Sequence, residues 1–291
     1  MPNRPKAIVL TGEGLNCEVE ANVGFLRAGF DSKIVHVRDL LSGKQALDAD
    51  VIHFPGGFLH GDDLGSAKAL ASLIQSTRIA GKPFVNQLTQ FVQDGGLVYG
   101  ACNGFQCLIK LGMLPATSGK YGEQTATLTF NHSRKFEMRW VKLKILPSVC
   151  PAFSGVTEIE LPVRHGEGRF TVYDRFGTAS PSKGEETLTR LFKDQQVLGQ
   201  YVKASSPVLS PTQFYPDNPN GSMQAIAGIC DPTGRVFGLM PHPEGYLDFQ
   251  NHPLWHRRAD ALRRKGEPVP GKGPGMQVFH NLATFVEERI K

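Results

Sequence analysis

One cysteine of the sequence lies in a setting that suits a nucleophile. Cys102 follows the apolar run 97–101, which has Gly100 two residues before the cysteine, and Gly104 stands two residues after it. A tight turn from strand to helix leaves no room for side chains at those two positions and presents the central side chain at a sheet edge. The helix that follows would favour a thiolate at Cys102. A cysteine that only packs is the alternative, and the two glycines argue against it.

A histidine and a carboxylate with suitable spacing follow a later strand-like run, 236–240. His242 and Glu244 stand on either side of Pro243, which confines His242 to extended backbone angles. Side chains two residues apart on an extended chain point to the same side. We therefore predict that Glu244 orients His242 and that His242 serves Cys102 as general base. A surface His-Pro-Glu turn is the simpler interpretation of these residues alone, and the combination with Cys102 favours a triad.

Backbone donors for an oxyanion are predicted at two places. Gly56 and Gly57 end a strand that should lie beside the Cys102 strand, and glycine lets the backbone approach a substrate closely. One N–H would come from Gly56 or Gly57, and the other from Asn103. Because a Gly-Gly peptide can flip at little cost, we hypothesise that docking of a partner completes this site. Pro-Gly-Gly is also a common turn, so this prediction depends on the combination.

Composition excludes several classes of protein. The 291 residues are 40% hydrophobic and 20% charged, with a net charge of +5, and no run of 18 apolar residues would span a membrane. No secretory segment precedes the first strand, so we expect a cytoplasmic protein. The basic residues of 257–265 are better explained as a solvated helix face than as a nucleic-acid site. Five widely spaced cysteines match neither a zinc site nor a disulfide framework.

The order of the predicted elements indicates an α/β fold. In the first hundred residues, strands at 6–10, 33–37, 50–54 and 97–101 alternate with helices at 17–28 and 65–92, the second broken near 81–83. This order predicts a mostly parallel central sheet with helices on both faces. The second half is rich in strands, which we expect to pack on that sheet: 127–130, 136–145, 157–163, 196–202, 225–230 and 236–240. We predict one domain over 1–291, with a core of about 6–250 and a helical extension at 252–291 containing helices 253–265 and 276–290.

The residues around Cys102 and His242 resemble the class I (triad) glutamine amidotransferases. The stretches that carry this resemblance are Gly100-Ala-Cys-Asn-Gly-Phe-Gln106 and Pro241-His-Pro-Glu244. Asn103 and Phe105 are typical of one branch, the glutaminase component of phosphoribosylformylglycinamidine synthase, an enzyme of purine biosynthesis. Further stretches similar to that branch are Gly14–Glu18, Pro55–Phe58, Leu128–Asn131, Phe136–Trp140, His165–Phe170 and Asn218–Ser222.

The resemblance implies a flavodoxin-like sheet and a definite chemistry. Cys102 would form a thioester with the γ-carboxamide of L-glutamine, His242 would move the protons, and Glu244 would orient His242. Gln106 would contact bound glutamine, and His165 and Gly166 would line its pocket. The ammonia would pass to a synthetase subunit that aminates formylglycinamide ribonucleotide, and a small accessory subunit is a further candidate partner. ATP and magnesium would belong to that partner, and this chain would carry no cofactor or metal.

The sequence departs from the branch at two places, which could affect the interface with a partner. Leu59, His60, Asp63 and Gly65 replace residues usual in the loop after Gly57, and Gly245 stands where the branch has an arginine. The alternatives are a class I amidotransferase subunit of another synthase or a stand-alone amide hydrolase, and, from a different class, a non-catalytic scaffold. Retention of all three triad residues argues against the scaffold.

Overall fold

A computed structural model describes residues 4–172 and 181–290. Its strands are Lys6–Thr11 (β1), Asp31–His36 (β2), Val51–Phe54 (β3), Arg78–Ile79 (β4), Lys82–Pro83 (β5), Leu97–Ala101 (β6), Ala126–Phe130 (β7), Glu137–Ile145 (β8), Glu158–His165 (β9), Glu167–Val172 (β10), Val197–Val202 (β11), Ile226–Cys230 (β12) and Val236–Leu239 (β13). Its α-helices are Glu18–Arg27 (α1), Val37–Leu41 (α2), Lys68–Ser76 (α3), Phe84–Gln93 (α4), Asn103–Lys110 (α5), Pro181–Lys193 (α6), Trp255–Arg264 (α7) and Met276–Ile290 (α8).

The central sheet has nine strands in the order β2-β1-β3-β6-β13-β12-β11-β8-β9. The first five strands in that order run parallel, and each later pair is antiparallel. Helices cover both faces: α1 and α8 lie on one, and α3, α4 and α5 lie on the other. The predicted α/β fold with a β-rich second half is therefore confirmed. The parallel strands β3, β6 and β13 are adjacent, so their carboxyl ends meet at one edge.

The second half differs from the prediction in how it is attached. Strands β12, β11, β8 and β9 continue the central sheet edge to edge rather than packing on its face. Backbone groups along β13 would otherwise remain unpaired, and β12 satisfies them. Among the second-half strands of the described residues, β7 and β10 form a separate two-stranded ribbon.

The break predicted near 81–83 is present. The segment 65–92 forms two helices, α3 and α4, separated by the short hairpin of β4 and β5. The turn at Gly81, whose φ is 78°, interrupts the helical run. Helix α2 was not predicted because its five residues are too few to show a helical period, and α6 and β10 were also missed.

The carboxyl-terminal helix α8 packs into the core. Val278, Phe279, Leu282 and Val286 are buried, and the Phe279 ring lies 5.0 Å from that of Phe25 in α1. Helix α7, by contrast, exposes most of its basic residues; Arg258 pairs with Glu160 at 2.6 Å. Among the described residues, no helix combines the length and apolar character that crossing a bilayer requires.

Candidate active site

The turn at Cys102 has the strained geometry that the glycine pattern predicts. Strand β6 ends at Ala101, α5 begins at Asn103, and Cys102 between them has φ 49° and ψ −106°. A Cβ atom on Gly100 would lie 2.7 Å from the backbone of Gly104, and one on Gly104 would lie 1.9 Å from the Phe54 carbonyl oxygen. Both glycines are thus required by contact with neighbouring backbone, which places the sulfur at the carboxyl edge of the sheet.

His242 and Glu244 form a buried pair at the same edge. His242 Nδ1 lies 2.5 Å from Glu244 Oε1, and both side chains are almost inaccessible to solvent. Burial alone would lower the pKa of His242, but the charges of Glu244 and Cys102 outweigh it and raise this pKa well above its usual value. Burial would raise the pKa of Glu244, and the neighbouring His242 lowers it instead. The pair is therefore an imidazolium and a carboxylate at neutral pH.

The backbone that joins the pair differs from the predicted extended chain. His242 is extended, with φ −108° and ψ 96°, but a short 3-10 turn begins at Pro243 and runs to Tyr246. The turn, rather than the two-residue repeat of a strand, brings the Glu244 carboxylate back to the imidazole. The predicted contact is present, although the reason given for it was wrong.

The two ring nitrogens of His242 have different surroundings. Nδ1 contacts Glu244, whereas Nε2 is buried and has no hydrogen-bond partner within residues 4–172 and 181–290. Cys102 lies at the same edge, because its N–H donates to the carbonyl of Leu239, three residues before His242, at 2.9 Å. Its thiol lies 3.6 Å from the Arg164 carbonyl oxygen. Nε2 is the nitrogen left to exchange a proton with Cys102. In enzymes without substrate such contacts are often longer than in the reacting complex.

The Gly56-Gly57 segment is held in one orientation by an antiparallel bridge between Leu15 and Gly57. The Gly56 carbonyl accepts a hydrogen bond from Asn16 N–H at 3.3 Å, and Phe58 N–H donates to the Gly14 carbonyl at 2.7 Å. Neither bond uses Gly57 N–H, which is therefore free to point away from Leu15, and Gly57 lines the same cavity as Cys102. A peptide flip would break the bond to Asn16, so a donor site already in place fits this geometry better than one completed by flipping.

A cavity of about 230 Å³ lies beside Cys102. Larger surface clefts occur, but those found among the described residues contain no triad side chain. Three phenylalanines, Phe58, Phe130 and Phe136, border the cavity and are partly exposed; we call them the aromatic rim. The remaining residues around the cavity are Gly57, Gly61, Asp62, Ser66, Cys102, Gln106, His165, Gly166 and Glu167.

Asn103 and Gln106 belong to a buried hydrogen-bond network on this wall. Asn103 Nδ2 lies 3.1 Å from both carboxylate oxygens of Asp62 and 3.1 Å from Gln106 Oε1. Gln106 Nε2 donates to the Glu167 carbonyl. The network fixes the first turn of α5, and with it Asn103 N–H. Contact of Gln106 with glutamine stays a prediction.

His165 is buried against the cavity and is held by Asn131. Its Nδ1 lies 3.0 Å from Asn131 Oδ1, and burial together with the charge of His242 lowers the pKa of His165 to about 3. The ring is thus neutral at physiological pH and differs from His242 in charge. Gly166 lines the cavity next to it.

Gly245, where the resembling branch has an arginine, is explained by its neighbours. A Cβ atom here would lie 2.7 Å from Pro162 Cγ and 2.9 Å from the guanidinium of Arg164. Arg164 therefore occupies the space beside the His242 turn that a side chain at 245 would need.

Cys17, at the start of α1, is a site residue that the sequence patterns did not single out. Its sulfur lies 3.9 Å from His242 Nδ1 on the buried side of the ring. Within the described parts of the chain, Cys17, His242 and Glu244 are the one group that offers three clustered metal-ligand atoms. The short Nδ1–Oε1 hydrogen bond leaves no room for an ion between those two atoms, and a bound ion would disrupt it.

Replacing Gly56 with alanine is expected to displace His242. The new Cβ atom would lie 2.6 Å from His242 Cε1 and 3.2 Å from the Cys17 sulfur, so the ring must move. A misplacement of about 1 Å lowers turnover about 10²-fold, while overpacking costs about 1–3 kcal/mol of unfolding free energy. Glutamate release and thermal unfolding would be measured together, with Gly271→Ala, which meets open space, as the control. Wild-type turnover in Gly56→Ala would contradict the packing described here.

The fold and this site define a triad glutamine amidotransferase. Residues 4–286 match the family described as the CobB/CobQ-like glutamine amidotransferase domain, and the chain belongs to that family. The resemblance drawn from the Cys102 and His242 motifs is thereby confirmed.

Two named relatives and one solved structure are similar to this chain over nearly its whole length. The chain is 38% identical to the phosphoribosylformylglycinamidine synthase subunit PurQ of Methanococcus maripaludis over 97% of each chain. It is 35% identical to the subunit of the same name from Dehalococcoides mccartyi, over 98% of this chain and 99% of that one. Among solved structures, a chain of PurLQS from Thermotoga maritima is similar with a TM-score of 0.65 and 26% identity, covering 98% of this chain and all of that chain.

Proposed function

We infer that this chain is the glutaminase component of phosphoribosylformylglycinamidine synthase. The observation that carries the inference is that Cys102 lines a small cavity at the sheet edge where the buried His242–Glu244 pair also lies. Relatives that bear this enzyme's name align over nearly the whole chain. The protein hydrolyses L-glutamine to glutamate and ammonia, and acts in the cytoplasm.

The reaction begins when the Cys102 sulfur attacks the γ-carboxamide carbon of glutamine. The protonated His242 stabilises a thiolate at Cys102 before the attack. Negative charge then develops on the carboxamide oxygen, where Gly57 N–H and Asn103 N–H serve as donors. His242 gives its proton to the leaving nitrogen, the C–N bond breaks, and ammonia departs from a γ-glutamyl thioester.

Hydrolysis of the thioester uses the same groups in reverse. Neutral His242 takes a proton from water, the hydroxide attacks the thioester carbon, and the C–S bond breaks to release glutamate. Glu244 keeps the imidazole in one tautomer and orientation through the 2.5 Å contact to Nδ1. Each proton taken from one reactant is returned to another, so the chain needs no cofactor or metal of its own.

The ammonia is used by a synthetase subunit, which in this proposal holds ATP, magnesium and formylglycinamide ribonucleotide. The aromatic rim supports docking at the cavity mouth: Phe58 and Phe136 have ring centroids 6.0 Å apart, and about half of the Phe130 and Phe136 surface is exposed. Clustered exposed aromatic side chains favour a protein interface. A docked synthetase would shield the cavity from bulk water. A small accessory subunit remains a further candidate partner.

Dependence on the synthetase separates this function from a stand-alone amide hydrolase. We expect glutamate release by the isolated chain to be slow and to rise when the synthetase subunit, ATP and formylglycinamide ribonucleotide are added. Shielding the cavity strengthens each electrostatic contact within it. Glutamate release would be measured with and without the partner. Phe136→Ser, which removes a side chain of the aromatic rim, should reduce the increase caused by the partner, and Val208→Ser, at an exposed apolar residue outside the rim, is its control. Full activity of the isolated chain, unchanged by the partner, would favour the stand-alone hydrolase.

A further inference from the structure

Three buried polar atoms lie behind the triad without a hydrogen-bond partner in the described parts of the chain. They are Glu244 Oε2, His53 Nε2 and the Tyr99 hydroxyl. His53 and Tyr99 are completely buried, and Glu244 is 4% exposed. Buried polar groups are nearly always hydrogen-bonded, so each of these three orphans calls for an explanation.

These groups lie beneath the triad on the face of the sheet covered by α1 and α8. His53 in β3 and Tyr99 in β6 are cross-strand neighbours, with ring centroids 4.3 Å apart. The turn that carries Glu244 packs against both helices. Burial has the largest effect on the pKa of each group: it lowers the pKa of His53 and raises that of Tyr99. The charge of Glu244 has the next largest effect and raises both pKa values. Geometry places the Glu244 carboxylate on the same face: one of its oxygens lies within 4.8 Å of the Cys17 sulfur at the start of α1, and Phe25 of α1 packs with its ring centroid 5.8 Å from that of His53.

The tautomer of His53 follows from its one hydrogen bond. Nδ1 lies 3.1 Å from the Tyr99 carbonyl oxygen, which can only accept, so Nδ1 carries the hydrogen. Burial lowers the pKa of His53 to about 4, so the ring is neutral at physiological pH. Nε2 of a neutral ring with Nδ1–H is an acceptor. A direct hydrogen bond from Nε2 to the Glu244 carboxylate would require a protonated ring.

The three orphan atoms offer fewer hydrogen-bond donors than acceptors. Glu244 Oε2 and His53 Nε2 both accept, whereas the Tyr99 hydroxyl can donate only once. The protein therefore lacks one donor at this place. A water molecule offers two donors and accepts from a third group, and buried waters typically make about three hydrogen bonds.

We propose that one buried water molecule binds between these side chains, donating to Glu244 Oε2 and His53 Nε2 and accepting from the Tyr99 hydroxyl. His53 and Tyr99 are then positioning residues of the triad, a role that rests on the glutaminase function proposed above. The water fixes Oε2 while His242 holds Oε1. Rotation of the carboxylate, which would release His242, is prevented from both sides.

Variants that remove one polar atom test the positioning role. Tyr99→Phe deletes only the hydroxyl, and we expect kcat for glutamate release to fall about 3- to 10-fold, the effect of about one hydrogen bond, with KM unchanged. His53→Leu should lower kcat at least as much, and His53→Gln, which keeps an acceptor, should restore part of it. Tyr121→Phe is the control, because it removes a hydroxyl bonded to Asp231 at 2.8 Å, remote from the triad. Wild-type kcat in both Tyr99→Phe and His53→Leu would overturn the positioning role.

A crystal structure of the wild-type protein tests the water directly and does not depend on activity. We expect an electron-density peak within hydrogen-bond distance of Glu244 Oε2, His53 Nε2 and the Tyr99 hydroxyl. A direct contact between Oε2 and Nε2, with no water, would overturn the proposal. Absence of glutaminase activity in the wild type together with its synthetase partner would instead refute the proposed function, so the two failures can be told apart.

Discussion

Cys102→Ala is expected to abolish glutamine-dependent amination while leaving amination with added ammonium intact. The variant removes the sulfur atom proposed to attack the γ-carboxamide carbon, so no thioester can form. The synthetase partner would still use free ammonia. Both activities would be measured with the reconstituted complex.

Cys107→Ala is the matched control for this experiment. Cys107 lies five residues further along α5, is fully buried, and has its pKa raised to about 12 by burial. A diazo-ketone analogue of glutamine should alkylate Cys102 and leave Cys107 unmodified. Glutamine hydrolysis by Cys102→Ala at near the wild-type rate would refute the assignment of the nucleophile.

His242→Ala is expected to approach the loss seen for Cys102→Ala. Positioned proton transfer contributes about 10²- to 10⁴-fold to rate, and both proton transfers of the proposed mechanism use this ring. Glu244→Ala should cost less, since it removes orientation and charge but keeps the base. Glutamate release by each variant would be compared with that of His256→Ala, an exposed histidine of α7.

The pH dependence of His242 follows from the same pair. Because its pKa is raised, the ring keeps its proton as pH rises through 6.5 and loses it only at higher pH. The imidazole should therefore remain doubly protonated at pH 7 in the resting protein, as measured by nitrogen NMR of labelled histidine.

A result that would contradict the role of His242 is an active His242→Ala variant. It would point to His165 or another histidine as the base.

The parts of the site that depend on local geometry could be predicted from the sequence. The glycines around Cys102 predict a turn with no room for side chains at those positions. The structure agrees, because a Cβ atom on Gly100 or Gly104 would clash with neighbouring backbone. The contact of His242 with Glu244 was expected from their spacing, although a 3-10 turn rather than an extended chain produces it. The pairing of β3 with β6 was predicted, whereas the position of β13 beside β6 was not.

The parts that depend on distant segments could not be predicted. Cys17 reaches His242 from α1, 225 positions away in sequence, and no spacing rule relates two such residues. His53 and Tyr99 each looked like an ordinary strand position, and only the pairing of β3 with β6 brings their rings together. The second-half strands attach to the edge of the sheet that is left unpaired, and that edge is known only once the sheet has assembled. These strands are β12, β11, β8 and β9.

Transfer of nitrogen from glutamine to the acceptor is the most direct test of the account. The wild-type chain would be combined with the synthetase subunit, ATP, magnesium, formylglycinamide ribonucleotide and glutamine labelled with nitrogen-15 in the amide. We expect the label to appear in the aminated ribonucleotide in equal amount to the glutamate released, and Cys102→Ala to transfer none. Glutamate release without label in the product, or equal labelling with Cys102→Ala, would contradict the account.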